Sequence, residues 1–150
     1  MSFEQTLHAE LAELGADLPE PLWTYIRWLE ANGQVHTYAG TNETFLAAIP
    51  VAKPEEMTSH LAFETPPDMM RYWLGTEGYD TQIIPFLRCG GDGSYIALWR
   101  RGTKDSFVFL GSEGEAFVLA EDPRDLIAIV SMGYSGIEGR DDLSKTPAQI

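Results

Sequence analysis

The chain has 150 residues, and its 23 Asp and Glu outnumber 10 Lys and Arg, which gives a formal net charge of −13. This balance argues against nucleic-acid binding, which requires basic side chains to neutralise phosphates, and against docking on anionic lipid. One cysteine, Cys89, cannot form an internal disulfide, and no stretch approaches the roughly 20 apolar residues of a membrane helix, so we expect a single-domain cytoplasmic protein.

Two amphipathic helices are predicted at the start of the chain. Apolar residues recur at helical spacing over residues 3–14, and a second apolar helix is predicted between Pro19 and Asn32. The tryptophans of the second helix, Trp23 and Trp28, are expected in or near the core, because their spacing places them with the other apolar residues.

The middle of the chain gives a weaker pattern. Residues 43–49 are consistent with either a short strand or a helical turn, and residues 60–63 with another strand. A third helix is predicted over residues 65–75, because Thr65 can cap its start and Asp68 lies three residues later, as in a capping box.

An antiparallel meander is predicted in the second half of the chain. Four β-type runs are separated by short Gly-bearing turns, which favour hairpin connections. The runs are residues 83–87, 95–99, 107–110 and 116–120. Asp122 and Pro123 then form a helix-start pair, since Asp accepts hydrogen bonds from free amides and Pro at the first helical position loses none.

These elements predict an α+β fold class. A single domain over residues 1–150 would have a mainly antiparallel sheet with helices packed around it. The core is expected to span about residues 3–133. Residues 134–150 form a polar C-terminal tail that is expected to fray or to wrap the surface.

No motif in the chain predicts catalysis or metal binding. The loop Gly90-Gly91-Asp92-Gly93 superficially resembles a phosphate loop, but a strand follows it and its Asp would repel phosphate, so a hairpin turn is favoured. His8, His36 and His60 lie far apart, and Cys89 has no second thiolate. We therefore predict that the protein is not an enzyme and holds no cofactor or metal.

An acidic surface is predicted near the C-terminal end. Between Gly111 and Asp142, eight acidic residues outnumber two basic ones, Arg124 and Arg140. Such a surface steers a partner of opposite charge, although helix capping and solubility explain the same residues. The residues expected to contact the partner are Asp92, Tyr95, Trp99, Glu113, Glu115 and Glu121.

The order and spacing of several short motifs resemble those of the SUKH superfamily. In that family a Leu-Pro precedes a helix that ends in Asn-Gly, as Leu18-Pro19 and Asn32-Gly33 do here. The further motifs that carry the resemblance are Leu14-Gly15, Ile84-Pro85-Phe86, the Gly-Asp-Gly turn, residues 95–98 and residues 122–132. Together they cover roughly residues 11–133, although residues 38–64 match nothing in the family.

The resemblance implies an α+β domain with helices around a mainly antiparallel sheet. Many bacterial SUKH proteins are immunity proteins, which bind and neutralise polymorphic toxins used between competing cells, and fungal relatives regulate cell-wall assembly. The family is not known for a shared catalytic constellation, so the resemblance implies no catalytic residue.

The leading hypothesis is a protein-binding inhibitor that covers the active site or an exosite of a cognate toxin. A nuclease with a basic groove would suit the acidic charge, and we expect the inhibitor to be a monomer or a weak homodimer. The alternative is a small ligand-binding protein or enzyme with a pocket between helices and sheet, lined by Trp23, Trp28, Trp73 and Cys89. A housekeeping scaffold is a third hypothesis.

Overall fold

A computed structural model describes residues 1–48, 61–64, 82–132, 134 and 136–149. Its helices and strands are α1 (Phe3–Glu13), α2 (Glu20–Ala31), β1 (Val35–Thr37), β2 (Thr44–Ala47), β3 (Ala62–Phe63), β4 (Ile83–Arg88), β5 (Tyr95–Arg101), β6 (Lys104–Leu110), β7 (Ala116–Ala120) and α3 (Pro123–Val130). Two short 3₁₀ helices follow, Arg140–Ser144 and Pro147–Gln149. The helix predicted over residues 65–75, and with it Trp73, lies outside the described residues, as does His60.

The seven strands form one sheet in the order of the chain, β1 to β7, and every neighbouring pair is antiparallel. Together with the three described α-helices, this sheet confirms the predicted α+β fold. The ambiguous segment 43–49 contains a strand, β2. None of the helices in the described ranges has the length and apolar character needed to cross a membrane.

The pairing of β5 with β6 extends beyond the predicted apolar runs. It continues without a bulge from Tyr95 opposite Leu110 to Arg101 opposite Lys104. The strand β6 therefore begins three residues before the apolar run that starts at Phe107. Backbone hydrogen bonds to β5 hold these polar residues in strand geometry, which their own propensity does not favour.

One face of the sheet packs against α1, α2 and α3. The buried side chains of this interface include Leu7, Leu11, Leu22, Trp23, Ile26, Phe86, Phe107, Phe109, Leu126 and Val130. The rings of Phe86 and Phe107 meet edge to face with centroids 6.1 Å apart. Each large apolar side chain buried here contributes about 1.5–3 kcal/mol, so this interface supplies much of the stability of the fold.

The two tryptophans of α2 have different environments. Trp23 is 2% exposed and lies in the core, as predicted. Trp28 is 50% exposed, so the prediction of a core position is wrong for this residue. Trp28 lies two residues beyond the buried Ile26, which is roughly 200° around the helix and therefore on its outer face.

The other face of the sheet carries a smaller apolar cluster. Ala97, Val108 and Leu110 are buried there, and Ile83 and Trp99 pack against them with part of their surface exposed. Successive residues of a strand point to opposite faces, so these residues alternate with those that face the helices. The sheet therefore buries apolar side chains on both faces.

The N-terminus of α1 has an acceptor for each of its first three amides. The Ser2 hydroxyl accepts from the Gln5 amide at 3.1 Å, and the Gln5 side chain accepts from the Ser2 amide at 3.0 Å. The Glu30 carboxylate of α2 accepts from the amides of Phe3 and Glu4, at N···O distances of 2.7 and 3.2 Å. One helix thus caps another, and the cap fixes how α1 and α2 pack.

The last helix begins where the sequence predicts. Asp122 is its N-cap, and the carboxylate accepts from the Arg124 amide at 2.8 Å. Pro123 occupies the first helical turn, and Leu126 and Val130 are buried against the core. The predicted Asp-Pro start is therefore confirmed.

The C-terminal segment contributes to the core. Tyr134 is 4% exposed and Ile137 is 0% exposed, and both belong to the cluster between helices and sheet. The Ile137 amide donates to the carbonyl oxygen of Cys89, just after β4. The core therefore continues past residue 133, the boundary expected from the sequence.

Replacing Glu30 with alanine is expected to lower the free energy of unfolding by about 1–2 kcal/mol, because two amides of α1 lose a charged acceptor. Urea denaturation followed by circular dichroism measures this loss. The matched control is Glu10→Ala at an exposed position of α1, where a change of about 0.5 kcal/mol or less is expected. Equal losses in the two variants would contradict a capping role for Glu30.

Candidate functional site

Two acidic turns lie at the same end of the sheet. Tyr95 pairs with Arg88, the last residue of β4, and with Leu110, the last residue of β6. The β4–β5 turn, residues 89–94, and the β6–β7 turn, residues 111–115, therefore leave the sheet side by side. Side chains that are about 20 residues apart in sequence become neighbours in this way.

Asp92 links the two turns by hydrogen bonds. Its carboxylate accepts from the Ser94 amide at 3.0 Å and from the Ser112 hydroxyl at 2.7 Å. Burial by itself would raise the pKa of Asp92, but the hydrogen bonds from Ser112 and Ser94 outweigh it and hold this pKa below its usual value. The Asp92 carboxylate is therefore charged at neutral pH and held in one position.

The C-terminal segment approaches the first turn closely. A Cβ atom on Gly90 would lie 2.4 Å from Oδ1 of Asp92 and 2.9 Å from Cγ of Glu138. Both distances are shorter than packed side chains tolerate, so a side chain at this position would force Asp92 or Glu138 to move. Glu138 is thereby placed beside Asp92, although 46 residues separate them in sequence.

Two adjoining clefts result from this arrangement. The smaller, about 220 Å³, is lined by Asp92, Gly111, Ser112, Glu113, Glu115 and Glu138. The larger, about 380 Å³, is lined by Glu115, Glu138, Gly139, Arg140, Asp141, Asp142 and Lys145. Together the clefts carry six carboxylates and two cations. We call these lining residues the acidic end of the sheet.

Four of the predicted contact residues lie at or beside the acidic end. Asp92, Glu113 and Glu115 line the smaller cleft. Tyr95 begins β5 directly after the first turn, but it is half-buried and its hydroxyl donates to Glu64. The three carboxylates are therefore the predicted residues that the fold brings together on an open surface.

Trp99 and Glu121, the other two predicted contact residues, lie toward the opposite end of the sheet. The strand β5 spans roughly 20 Å, and Arg101 at its far end lies over the Trp99 ring, 4.8 Å from the centroid. Glu121 accepts from Lys104 at 2.9 Å and from Arg101 at 3.1 Å, and these bonds hold the pKa of Glu121 below its usual value. The charge of Glu121 is thus compensated locally.

Three carboxylates of the acidic end belong to the predicted acidic surface, although the sequence also places them in the polar tail and not among the expected contact residues. They are Glu138, Asp141 and Asp142. The sequence signal for their position is the pair of apolar residues just before them, Tyr134 and Ile137, which anchor the segment in the core. That pair is too short to form a periodic pattern, so periodicity does not detect it.

A second polar cluster surrounds Glu64, which follows β3. Its carboxylate accepts from Nε of Arg88 at 2.7 Å, from the Tyr95 hydroxyl at 3.1 Å and from the Tyr38 hydroxyl. The Arg88 guanidinium also lies over the Tyr38 ring, 5.5 Å from its centroid. The side chains of Glu64 and Arg88 are 14% and 18% exposed. A charge so enclosed needs a paired cation and further donors, and this cluster supplies both.

The tyrosines of this cluster resist ionisation. Burial raises the pKa of Tyr38 and of Tyr95 far above the usual value, and the adjacent Glu64 carboxylate raises both further. Burial also raises the pKa of Tyr25 to about 12, and its hydroxyl donates to the carbonyl oxygen of Ala48. All three phenols therefore stay protonated in the folded chain at a pH where they ionise in the unfolded chain.

The described histidines, His8 and His36, and the thiol of Cys89 lie in different parts of the fold. His8 stacks on Trp23 with ring centroids 3.5 Å apart, whereas His36 lies on β1 beside Phe45. Burial raises the pKa of the Cys89 thiol well above its usual value, so the thiol is uncharged. Within the described ranges, no group of three or more His, Cys, Asp or Glu side chains is arranged to hold a metal ion.

No protein-family model matches the chain, and no curated protein or solved structure is significantly similar to it. Function therefore has to be inferred from the geometry of the chain's own residues. The feature with the clearest chemical preference is the acidic end, because concentrated carboxylates favour cationic groups.

Above pH 10 the free energy of unfolding is expected to fall, because the unfolded chain releases phenol protons that the folded chain retains. Replacing both Tyr38 and Tyr95 with phenylalanine removes two of these groups. The free energy of unfolding should then fall less steeply with pH, and the slope should change by at most about 1.4 kcal/mol per pH unit for each tyrosine removed.

Urea denaturation between pH 8 and pH 11, at roughly half-unit steps, measures this slope. The free energy of unfolding of the double variant at pH 8 is the reference for the same variant at higher pH. At pH 8 all its phenols are protonated in both the folded and the unfolded state. An identical slope in the double variant and the unmodified chain would show that Tyr38 and Tyr95 ionise normally in the folded state.

Proposed function

We propose that this chain is a cytoplasmic immunity protein that binds a cognate bacterial polymorphic toxin and neutralises it by direct occlusion. The observation that carries the proposal is the acidic end, where six carboxylates and two cations surround two adjoining clefts. A basic surface on the toxin, such as the substrate groove of a nuclease, is the complementary partner. The resemblance to the SUKH superfamily supports the same function.

The acidic end would attract the partner before the two proteins touch, and it would bind the partner once they do. A net charge of −13 attracts a cationic partner, and such steering raises association rates by about 10- to 1000-fold. The Debye length is about 8 Å at physiological ionic strength, so only charges near the contact surface are felt strongly. A local concentration of carboxylates therefore matters more than the same number spread over the molecule.

The position of Asp92 favours tight contact. Its hydrogen bonds with Ser94 and Ser112 hold the carboxylate in place before any partner arrives, so less conformational entropy is lost on binding. The clefts beside it have room for long cationic side chains such as Arg and Lys. Binding of such side chains would place the bulk of this domain over the partner's basic groove.

The proposed contact surface differs from the one predicted from the sequence. It keeps Asp92, Glu113 and Glu115 and adds Glu138. It omits Tyr95, which is half-buried and donates to Glu64. It also omits Trp99 and Glu121, because they lie toward the opposite end of the sheet, where Glu121 is already paired with cations.

The alternative, a ligand-binding protein or enzyme with a pocket between helices and sheet, gains no support from the described residues. Trp23 and Cys89 are packed among buried core side chains. Trp28 lies on the outer face of α2, and Trp73 is outside the described residues. The interface that such a pocket would occupy is filled by apolar side chains where the structure describes it.

Mixing the chain with the product of a toxin gene found beside its own gene tests the proposal. Toxin activity is expected to fall in proportion to the chain added and to be abolished at excess. Bovine serum albumin at the same concentration controls for non-specific protection. Unimpaired toxin activity at excess chain would overturn the proposal.

Removing charge from the acidic end is expected to slow association with the toxin. The variant Glu113→Gln, Glu115→Gln, Glu138→Gln should associate about tenfold more slowly at low salt, with a weaker dependence on salt. The matched control is Glu10→Gln, Glu13→Gln, Glu43→Gln, which removes the same charge from exposed positions elsewhere. Stopped-flow mixing measures both rates, and equal slowing in the two variants would mean that the acidic end has no special role.

A further inference from the structure

The strand β7 forms one edge of the sheet. It pairs with β6 on one side, and none of the described strands lies on its other side. Its five residues, Ala116–Ala120, include no charged residue and no proline. Charges and prolines are common means by which an edge strand is kept from pairing with another chain. The opposite edge, β1, is three residues long, so β7 is the longer of the two edges.

The register of β6 and β7 shows which backbone groups of β7 point away from the sheet. The Gly111 amide donates to the carbonyl oxygen of Glu115 at 2.7 Å, so these two residues face each other as a hydrogen-bonded pair. Because such pairs alternate along an antiparallel ladder, Ala116 and Val118 turn their N–H and C=O groups outward. None of the described residues hydrogen-bonds to these outward groups.

A row of apolar side chains crosses the sheet and ends at this edge. Ala97 of β5, Val108 of β6 and Val118 of β7 lie opposite one another on the face away from the helices. Ala97 is 0% exposed and Val108 is 7% exposed, but Val118 is 44% exposed. An apolar side chain on a further strand would lie beside Val118 and cover it. The edge therefore offers both open hydrogen-bonding groups and an apolar side chain that another strand would bury.

The charge beside the edge indicates what kind of strand fits there. Glu115 directly precedes β7 and is exposed, and Glu121 directly follows it. Glu121 is paired with Lys104 and Arg101, whereas Glu115 lines both clefts of the acidic end. A strand with a basic residue at the end nearest Glu115 would therefore place that residue in the acidic end.

We propose that the partner adds an extended segment to the edge of β7 as a further strand, with an apolar side chain over Val118 and a basic side chain in the acidic end. This inference rests on the proposed function and names the element of the partner that is recognised. Main-chain hydrogen bonds would fix the direction of the segment, and its side chains would supply the specificity. The bulge at Leu119 interrupts the regular register, so the contact is confined to residues 116–118.

A second copy of this chain fits the same edge poorly. Symmetric antiparallel pairing centred on Val118 would bring Glu115 of one copy opposite Glu121 of the other, and each copy has a net charge of −13. Like charges directly opposite each other on paired strands are destabilising. The charge around β7 therefore favours a basic partner over self-association.

Amide hydrogen exchange, followed by nuclear magnetic resonance in the full chain, tests the edge directly. In the free chain the Ala116 and Val118 amides should exchange faster than the Phe117 amide, because the Phe117 amide bonds to β6. The probe is the end-blocked peptide Lys-Lys-Val-Thr-Val-Thr-Val. Its control is Lys-Lys-Gly-Ser-Gly-Ser-Gly, which has the same charge without β propensity.

At saturation the first peptide is expected to slow exchange at Ala116 and Val118 at least about tenfold, and the control peptide should leave it unchanged. Binding of the first peptide without slower exchange at these two amides would overturn the inference. So would the absence of any binding at about 1 mM peptide.

Val118→Pro and Val118→Thr separate the backbone of the edge from its side chain. Proline removes the outward N–H without breaking a bond to β6, whereas threonine keeps this N–H and the branched shape. Fluorescence anisotropy should show that the proline variant binds the peptide at least about tenfold more weakly, and the threonine variant at most about threefold. Equal binding by the proline variant and the unmodified chain would contradict strand addition. If the proline variant does not fold, the exchange rates of the unmodified chain still decide.

The toxin separates this inference from the proposed function. Inhibition of the toxin that Val118→Pro weakens at least about tenfold would support both. Inhibition that Val118→Pro leaves unchanged would overturn strand addition but keep the proposed function. Slower exchange at Ala116 and Val118 with the peptide, without inhibition of the toxin, would support the edge as a site for basic strands and contradict the proposed function. Protection of these amides that rises with the concentration of the chain alone would place a second copy at the edge and overturn the choice of partner.

Discussion

Antiparallel pairing of consecutive strands is the constraint on which the rest of this structure depends. Because each strand reverses the direction of the one before, alternate turns lie at the same end of the sheet. The turns after β4 and β6 meet at one end, and the turn after β5 lies at the other. The first pair carries Asp92, Glu113 and Glu115, and the second end carries Arg101 and Lys104. Among the described residues, the grouping of the unpaired carboxylates at one end and of Arg101 and Lys104, paired with Glu121, at the other therefore follows from the topology.

The fold class and the meander could be predicted from the sequence because they depend on local patterns. Alternating apolar runs, Gly-bearing turns and the Asp-Pro start of α3 are all visible within a few residues. The polar start of β6 at Lys104 could not be predicted, because it is a strand only through its pairing with β5. Nor could Glu30, which caps α1 from a position 26 residues away.

In the candidate site, too, local patterns predict some residues, whereas only tertiary contacts bring in the others. Asp92, Glu113 and Glu115 were predicted because each lies in a turn recognisable by its glycines. Glu138 joins them only through the docking of Ile137, a tertiary contact that leaves no periodic trace. Trp99 and Glu121 were grouped with them because sequence reasoning treats exposure one residue at a time. Trp99 and Glu121 are separated from the three carboxylates by the length of a strand, and only the register of the strands shows this separation.

The acidic end also has an energetic consequence for the isolated chain. Six carboxylates around two clefts repel one another at distances within a Debye length, and two cations offset this only in part. Hydrogen bonds from Ser94 and Ser112 keep Asp92 ionised, so the repulsion is not relieved by its protonation near neutral pH.

Such a cluster is less favourable in the free protein than in a complex that supplies positive charge. Natural selection for stability alone would disperse these residues over the surface, as it does for solubilising charge. Their concentration on two turns and the C-terminal segment is the observation on which the proposal of a cationic partner rests, because solubility requires net charge but no particular placement of it.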